Sequence, residues 1–309
     1  MFPSVLEYAE NSALEAISLF NLVQCAENTY YLKCYANIGV YDLGNNEVVL
    51  IDSGDHRKSV SDLDKALCER NWKVKMVICT HCHVDHINGN RFYKEKYGCN
   101  VYSSRIEYHL IEEPSFEAGF YYLGIPTDRK RNFFFKPLGT EAFQLTDDIL
   151  PEGFETISLP GHSFNMIGVR TPDGVWFLGD ALLDKSTFED YKLPFFFDIN
   201  KSIETAKMLA TLEGKLFVPS HSAATEDISE LALYNAEALK AAKEFILESC
   251  EGRTFEEIFE DVCGRYEMTM DIDKFAKISV TIRAFLQALI EDGRLDAKIE
   301  GYKLVYFKK

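Results

Sequence analysis

Thr80-His81-Cys82-His83-Val84-Asp85-His86 packs three imidazoles and a carboxylate into six residues. Borderline nitrogen donors with one hard oxygen suit zinc or a similar first-row ion. Just upstream, Val74, Met76 and Val77-Ile78-Cys79 form a short apolar run bounded by charge, the pattern of a buried strand. The spacing therefore predicts that the turn leaves the C-terminal end of a strand. A lone histidine is ordinarily a satisfied core or surface residue. Here five of the chain's seven histidines, His81, His83, His86, His162 and His221, fall just after predicted strands, which chance placement rarely gives.

The elements that must carry these turns follow in order. Strands at 17–23, 29–35 and 38–43 lead through Gly44-Asn45-Asn46 into Val48-Val49-Leu50-Ile51. Asp52-Ser53-Gly54-Asp55 comes next, and 59–70 reads as an amphipathic helix with Val60, Leu63 and Leu67 on one face. Beyond the histidine turn, Asn88-Gly89-Asn90 breaks the chain, 91–97 is a short helix and 100–103 a strand. Residues 112–135 read as an irregular excursion, with Pro114, Gly119, Gly124 and Pro126 ahead of Arg129-Lys130-Arg131 and Phe133-Phe134-Phe135. Its aromatics form either a small core of its own or a lid, a recurring use of long loops. Strand 156–159 then ends in Pro160-Gly161-His162, strand 174–178 in Gly179-Asp180, and strand 215–218 in Pro219-Ser220-His221, with a helix over 201–212 capped by Asn200.

From Thr225 the character changes to helices over 228–249, 254–266 and 274–292, the second opened by a Thr254/Glu257 capping box. A hairpin about Glu300-Gly301 closes the chain, so helices followed by a hairpin spell a winged-helix-like tail.

Composition bounds the rest. A chain of 309 residues with 47% hydrophobic content can bury one large core and a smaller one. No stretch reaches the roughly eighteen apolar residues of a membrane helix, and the start lacks an export signal. The eight cysteines are scattered, with no second CxxC to pair with Cys79 and Cys82, and read as reduced thiols of a cytoplasmic protein. A net charge of −16 opposes sequence-independent attraction to nucleic acid or anionic lipid.

Four turns thus share one description: each follows a strand and each carries a metal-grade ligand. In an α/β sandwich such loops gather at one sheet edge, where open sheets bind ligands. The chain resembles the metallo-β-lactamase-fold hydrolase superfamily, through Asp52-Ser53-Gly54, the histidine turn, Gly161-His162, Gly179-Asp180 and Ser220-His221, in that order. The resemblance implies an α/β fold, an αββα sandwich over 1–224, followed by the helical winged-helix-like domain at 225–309. It implies a site for two divalent metal ions, one held by His81, His83 and His162, the other by Asp85, His86 and His221, with Asp180 bridging. Asp85 and Asp180 are the carboxylates it ties to catalysis. Zn2+ is the leading ion, with iron and manganese the other first-row choices. Positions left open for water are what catalytic zinc needs, and the locally positive centre favours a small anionic substrate. Asp52 resembles the carboxylate that orients a ligand histidine from behind; its other reading is a plain turn residue. Cys82 lies between two ligands, but alternation points it away from them, so it reads as a buried inert thiol.

Departures from subgroup patterns narrow the function. Asp180 stands where cysteine-type β-lactamases carry Cys, and Ala181-Leu182-Leu183 lacks the tyrosine shared by acyl-homoserine lactonases. Nor is there a β-CASP region or a flavodoxin-like tail. The leading expectation is a hydroxide shared by both ions attacking an ester, thioester or lactone carbon, glyoxalase-II-like in its thioester form. A phosphodiesterase or ribonuclease is the second, because some relatives pair this domain with a winged-helix tail. A non-catalytic metal-binding module is the third, and the complete ligand set counts against it. Charge separates the first two: residues 225–309 carry 12 Lys and Arg against 18 Asp and Glu, net −6, a poor phosphate tracker. The tail is therefore expected to pack on the core, wall the pocket or form a homodimer. Lys185, Lys192 and the run at 129–131 read as solvated charge rather than substrate anchors.

Overall fold

In the computed structural model the described residues are 22–54, 57–122 and 139–309. The predicted strand at 17–23 is described only from Leu22, and the 129–131 and 133–135 runs lie outside the described residues.

The first sheet begins as an antiparallel meander of β1 (Leu22–Gln24), β2 (Thr29–Leu32), β3 (Ile38–Asp42) and β4 (Glu47–Ile51), since short connections permit only hairpins. A crossover through α1 (Arg57–Glu69) sets β5 (Lys73–Ile78) parallel to β4. Then come α2 (Val84–Ile87), α3 (Asn90–Tyr97), and β6 (Asn100–Ser103), parallel to β5. After α4 (Glu107–Glu112) and α5 (Ser115–Tyr122), β7 (Ala142–Gln144) pairs parallel with β6 and completes seven strands in chain order. The second sheet holds β8 (Glu155–Ser158), β9 (Ile167–Arg170) and β10 (Val175–Phe177), antiparallel neighbours. Beyond α6 (Lys185–Tyr191) and α7 (Ile199–Leu209), β11 (Leu216–Val218) pairs parallel with β10.

Strand alternation sorts side chains into layers. Val49, Ile51, Met76 and Ile78 meet Val169, Val175, Phe177 and Val218 between the sheets. Val48, Leu50 and Val77 face the opposite way, against Leu63 and Leu67 of α1 and Tyr93 of α3. Trp176 and Phe217 pack outward on Ile199, Ile203 and Ala206 of α7. The result is the expected αββα order.

The tail comprises α8 (Ser229–Glu248), β12 (Arg253–Thr254), α9 (Phe255–Arg265), α10 (Ile272–Glu291), β13 (Leu295–Glu300) and β14 (Lys303–Lys308), with β14 central in a three-stranded sheet. The capping box forms as predicted: Glu257 N donates to Thr254 Oγ1 while Thr254 N donates to Glu257 Oε2. The tail's core is continuous with the outer layer of the second sheet. None of the described helices is long and apolar enough to cross a membrane.

Three expectations are corrected. The excursion at 112–135 is not irregular at its start: α5 forms immediately after Pro114, a residue that tolerates the missing donor at a helix start. Its eight residues are too few, and too evenly aromatic, to show helical periodicity. Helix α7 begins earlier than 201 because Asp198, not Asn200, is its cap and accepts from Lys201 N at 3.0 Å. Asn200 instead joins the tail, accepting from Lys243 Nζ at 2.8 Å and donating to Asp292 Oδ1 at 3.1 Å. Strands β7 and β9 and helix α6 are additions, each only three to seven residues long.

Candidate metal centre

All seven residues singled out by their place after strands meet at one edge of the sandwich. His81 and His83 leave β5, Asp85 and His86 lie in the single turn of α2, His162 follows β8, Asp180 follows β10 and His221 follows β11. They form two groups, His81, His83, His162, Asp180 and Asp85, His86, Asp180, His221; in each, one donor atom per residue lies within 4.8 Å of the others. Asp180 is common to both. Its Oδ1 is 3.2 Å from His86 Nε2, and its Oδ2 is 3.3 Å from His162 Nε2 and 3.2 Å from His221 Nε2. His221 Nε2 is also 3.1 Å from Asp85 Oδ2.

The turns hold these positions through backbone packing. Ser53 N donates to His86 O at 2.7 Å, locking the turn after β4 to the histidine turn. At Gly89 that approach is so close that a Cβ would lie 2.2 Å from Ser53 O. Gly161, at φ +132°, lets the His162 loop press on α7, where a Cβ would meet Ser202 Oγ at 2.3 Å. Asn37 pins the last turn, donating through Nδ2 to Pro219 O at 2.9 Å.

Each imidazole's outer nitrogen decides which one faces inward. Asp52, buried and in the left-handed region at φ 62°, accepts from Thr80 N at 2.7 Å, from Thr80 Oγ1 at 2.9 Å and from His86 Nδ1 at 2.8 Å. His81 Nδ1 donates in turn to Thr80 Oγ1 at 3.0 Å, so one carboxylate sets both rings with Nε2 inward. Asp52 is thus an orienting carboxylate rather than a plain turn residue. His221 Nδ1 donates to Tyr35 O at 2.8 Å. His83 is turned the other way: its Nε2 meets Tyr121 Oη at 2.9 Å, while its Nδ1 faces His162 Nε2 at 2.9 Å.

Electrostatics divides the site. Burial, then the neighbouring imidazoles, hold His81 and His83 well below the ordinary histidine range, so both are neutral. Burial would also discharge His86, but Asp180, Asp52 and Asp85 outweigh it and raise its pKa well above the usual value. Against burial, His221 is carried to about 11, chiefly by Asp180. Burial works against the ionised form of Asp85 too, yet His86 and His221 overcome it and hold the carboxyl at about 2. The edge therefore combines two neutral imidazoles, His81 and His83, with ionised carboxylates that draw positive charge onto His86 and His221, charge that a bound cation would supply in place of those protons. Metal fits this chemistry. His81 Nε2, His86 Nε2 and Asp180 Oδ1 are buried and make no hydrogen bond among the described residues, a costly arrangement for polar atoms unless a cation takes their lone pairs.

Cys82 is buried and stands outside both groups, its thiol pushed well above the usual range by burial and by Glu107. Its neighbour Glu107 was missed in the sequence. Fully buried, Glu107 accepts from Cys82 N at 3.0 Å through Oε2 and from Ser163 Oγ and Asn165 N, both at 2.7 Å, through Oε1. It staples the histidine turn to the His162 loop, and no local pattern announces partners 25 to 58 residues away. Beside His83 and His162 lies a small cleft walled by Phe120, Tyr121, Phe164, Phe195, Phe197 and, from α10, Val280. Lys185 is an exposed partner of Glu230 on the surface.

The profile of the metallo-beta-lactamase superfamily matches residues 32–221. A metallo-beta-lactamase family protein from Thermus thermophilus superimposes at TM-score 0.66 and 21% identity, over 89% of this chain and 94% of that one. A beta-lactamase domain protein from Burkholderia ambifaria gives TM-score 0.66 at 15% identity, over 94% of each chain. At such identities the likeness establishes the fold alone. A hydroxyacylglutathione hydrolase of Pelagibacter ubique (strain HTCC1062) is 30% identical over 81 residues, 26% of this chain and 29% of that protein. That match spans under a third of the relative's length.

Proposed function

Since the chain belongs to the metallo-beta-lactamase superfamily, whose profile covers more than half of it, we propose that it is a dinuclear metal-dependent hydrolase of an ester, thioester or lactone-type acyl carbon. The observation that carries this reading is Asp180, shared by both ligand groups and within 3.3 Å of a nitrogen from His86, His162 and His221. Bound there, two dications, zinc first and iron or manganese otherwise, would make water a nucleophile at neutral pH and polarise the acyl oxygen. The chain's own residues do the positioning. Asp52 and Thr80 fix two imidazole tautomers, Asp85 and Asp180 supply the ionised carboxylates, and the aromatic cleft takes the apolar part of a small anionic substrate while excluding water. The short match to a hydroxyacylglutathione hydrolase favours the thioester form, and the cysteines, none joined to another, suit a cytoplasmic setting. Side-by-side assay of metal-loaded protein on a thioester, an ester, a lactone, a β-lactam and a phosphodiester tests the reading. Turnover confined to the first three supports it; turnover of the phosphodiester alone overturns it.

One observation favours a phosphodiesterase. The tail's order, helix, short strand, two helices and a hairpin with β14 central, is that expected of a winged helix, a module that reads nucleic acid. The charges oppose it. Arg283 lies over the Phe255 ring, 3.5 Å from its centroid, Lys277 is half-buried, and the tail is net −6. No binding to single- or double-stranded nucleic acid is expected at physiological salt. In a gel-shift titration, sub-micromolar binding with a steep salt slope would reverse this and promote the nuclease reading.

A further inference from the structure

Four of the five histidines at the edge have an outer nitrogen held by a partner, and three of those partners, Thr80, Asp52 and the Tyr35 carbonyl, belong to strand-end turns of the first sheet. His83 is the exception, because its Nε2 is held from α5. That nitrogen lies 2.9 Å from Tyr121 Oη and 3.4 Å from Glu117 Oε1. Glu117 and Tyr121 stand four residues apart, on one face of the helix. Both are buried, which for a carboxyl group demands a specific task or partner. Helix α5 has only eight residues, below the roughly twelve at which an isolated helix becomes marginal in water. The tail holds it in place. Tyr122 Oη donates to Asp273 Oδ1 of α10 at 2.7 Å, and Tyr121, Tyr122 and Ala276 share one buried cluster with Phe195 packed against it.

We propose that α5 is a brace through which the C-terminal unit sets one ligand of the metal centre: Tyr121 and Glu117 are positioning residues for His83, and α10 fixes them through Tyr122. The inference rests on the two-metal reading, since it assigns His83 Nδ1 to the ion shared with His81 and His162. With Nε2–H donated to Tyr121, the proton is confined to the outer nitrogen and Nδ1 keeps its lone pair. The ring plane is fixed by the same bond. It follows that the three-histidine ion, and not the other, depends on the tail.

The test titrates the full-length metal-free protein with Co2+ alone, following its visible absorption, and with Zn2+ by calorimetry. The wild type should take up two ions. Tyr121→Phe and Glu117→Leu should each weaken one of the two binding events by about 10- to 100-fold, the usual loss when a partner behind a ligand is removed, leaving the other unchanged. Glu117→Gln, whose amide oxygen can still lie beside His83 Nε2, should stay within about threefold of wild type. Tyr122→Phe, which cuts the link to α10, should weaken the same event as Tyr121→Phe, by less. Two unaltered events in Tyr121→Phe overturn the brace and leave the two-metal reading standing. Equal weakening of both events, with a lowered thermal midpoint of the metal-free protein, overturns it as well, since that reports general loosening. A wild type that takes up no ion removes the two-metal reading, and the brace with it.

Discussion

Asp180→Ala is expected to lower turnover by several orders of magnitude and to reduce metal content at the same time, while Cys82→Ser leaves both within roughly tenfold, about 1.4 kcal/mol of transition-state stabilisation. Asp180 is the residue common to both ligand groups. Its two oxygens lie between His86 on one side and His162 and His221 on the other, so on the proposed reading its removal would deprive both ions of a ligand and of the charge that would hold them together. Cys82 occupies the middle of the same turn, yet its side chain is buried away from both groups and its thiol is held protonated by burial. Steady-state kinetics with elemental analysis of the two variants decides the matter. If Cys82→Ser strips metal while Asp180→Ala keeps near-normal turnover, the thiol is a ligand and the bridging assignment is wrong.

Glu107→Ala is expected to cost about 3–5 kcal/mol of folding stability, since each buried donor left without its acceptor costs about 1–3 kcal/mol. The carboxylate is fully buried, and its three donors, Cys82 N, Ser163 Oγ and Asn165 N, would keep their desolvation cost without an acceptor. The loss should be felt at the site too, because the two segments it joins carry His81 and His83 on one side and His162 on the other. Denaturant unfolding of the metal-free variant measures it directly. A loss below about 1 kcal/mol would show that water or relaxation satisfies the three donors, and that the staple is not structural.

What was legible in the sequence was local. A strand's period of two and the chemistry at its end lie within about ten residues, so β5 with its histidine turn, and the loops bearing His162, Asp180 and His221, could be located one by one. The helices of the tail announced themselves by length, and Thr254 with Glu257 by a capping box three residues apart. What escaped was non-local. Asp52 was recognisable as an orienting group only by resemblance, because its donors sit 28 and 34 residues on. Glu107 had no signal, since an acidic residue in a short helix ordinarily faces water. In α5 the pair Glu117 and Tyr121, four apart, was a signal, but Gly119 and the neighbouring aromatics masked the helix that gives the spacing its meaning. Asn200 looked like a cap because it opens an apolar run, whereas Asp198 two residues earlier does that work and Asn200 bonds to α8 and to Asp292, just past α10.

The account's central claim is a centre for two ions, and elemental analysis of protein purified without chelator tests it most directly. After reloading with zinc, iron or manganese and removal of excess, two ions per chain are expected, lost on prolonged chelation together with activity. A stoichiometry near zero after reloading would contradict the claim, and with it the assignment of all seven ligands.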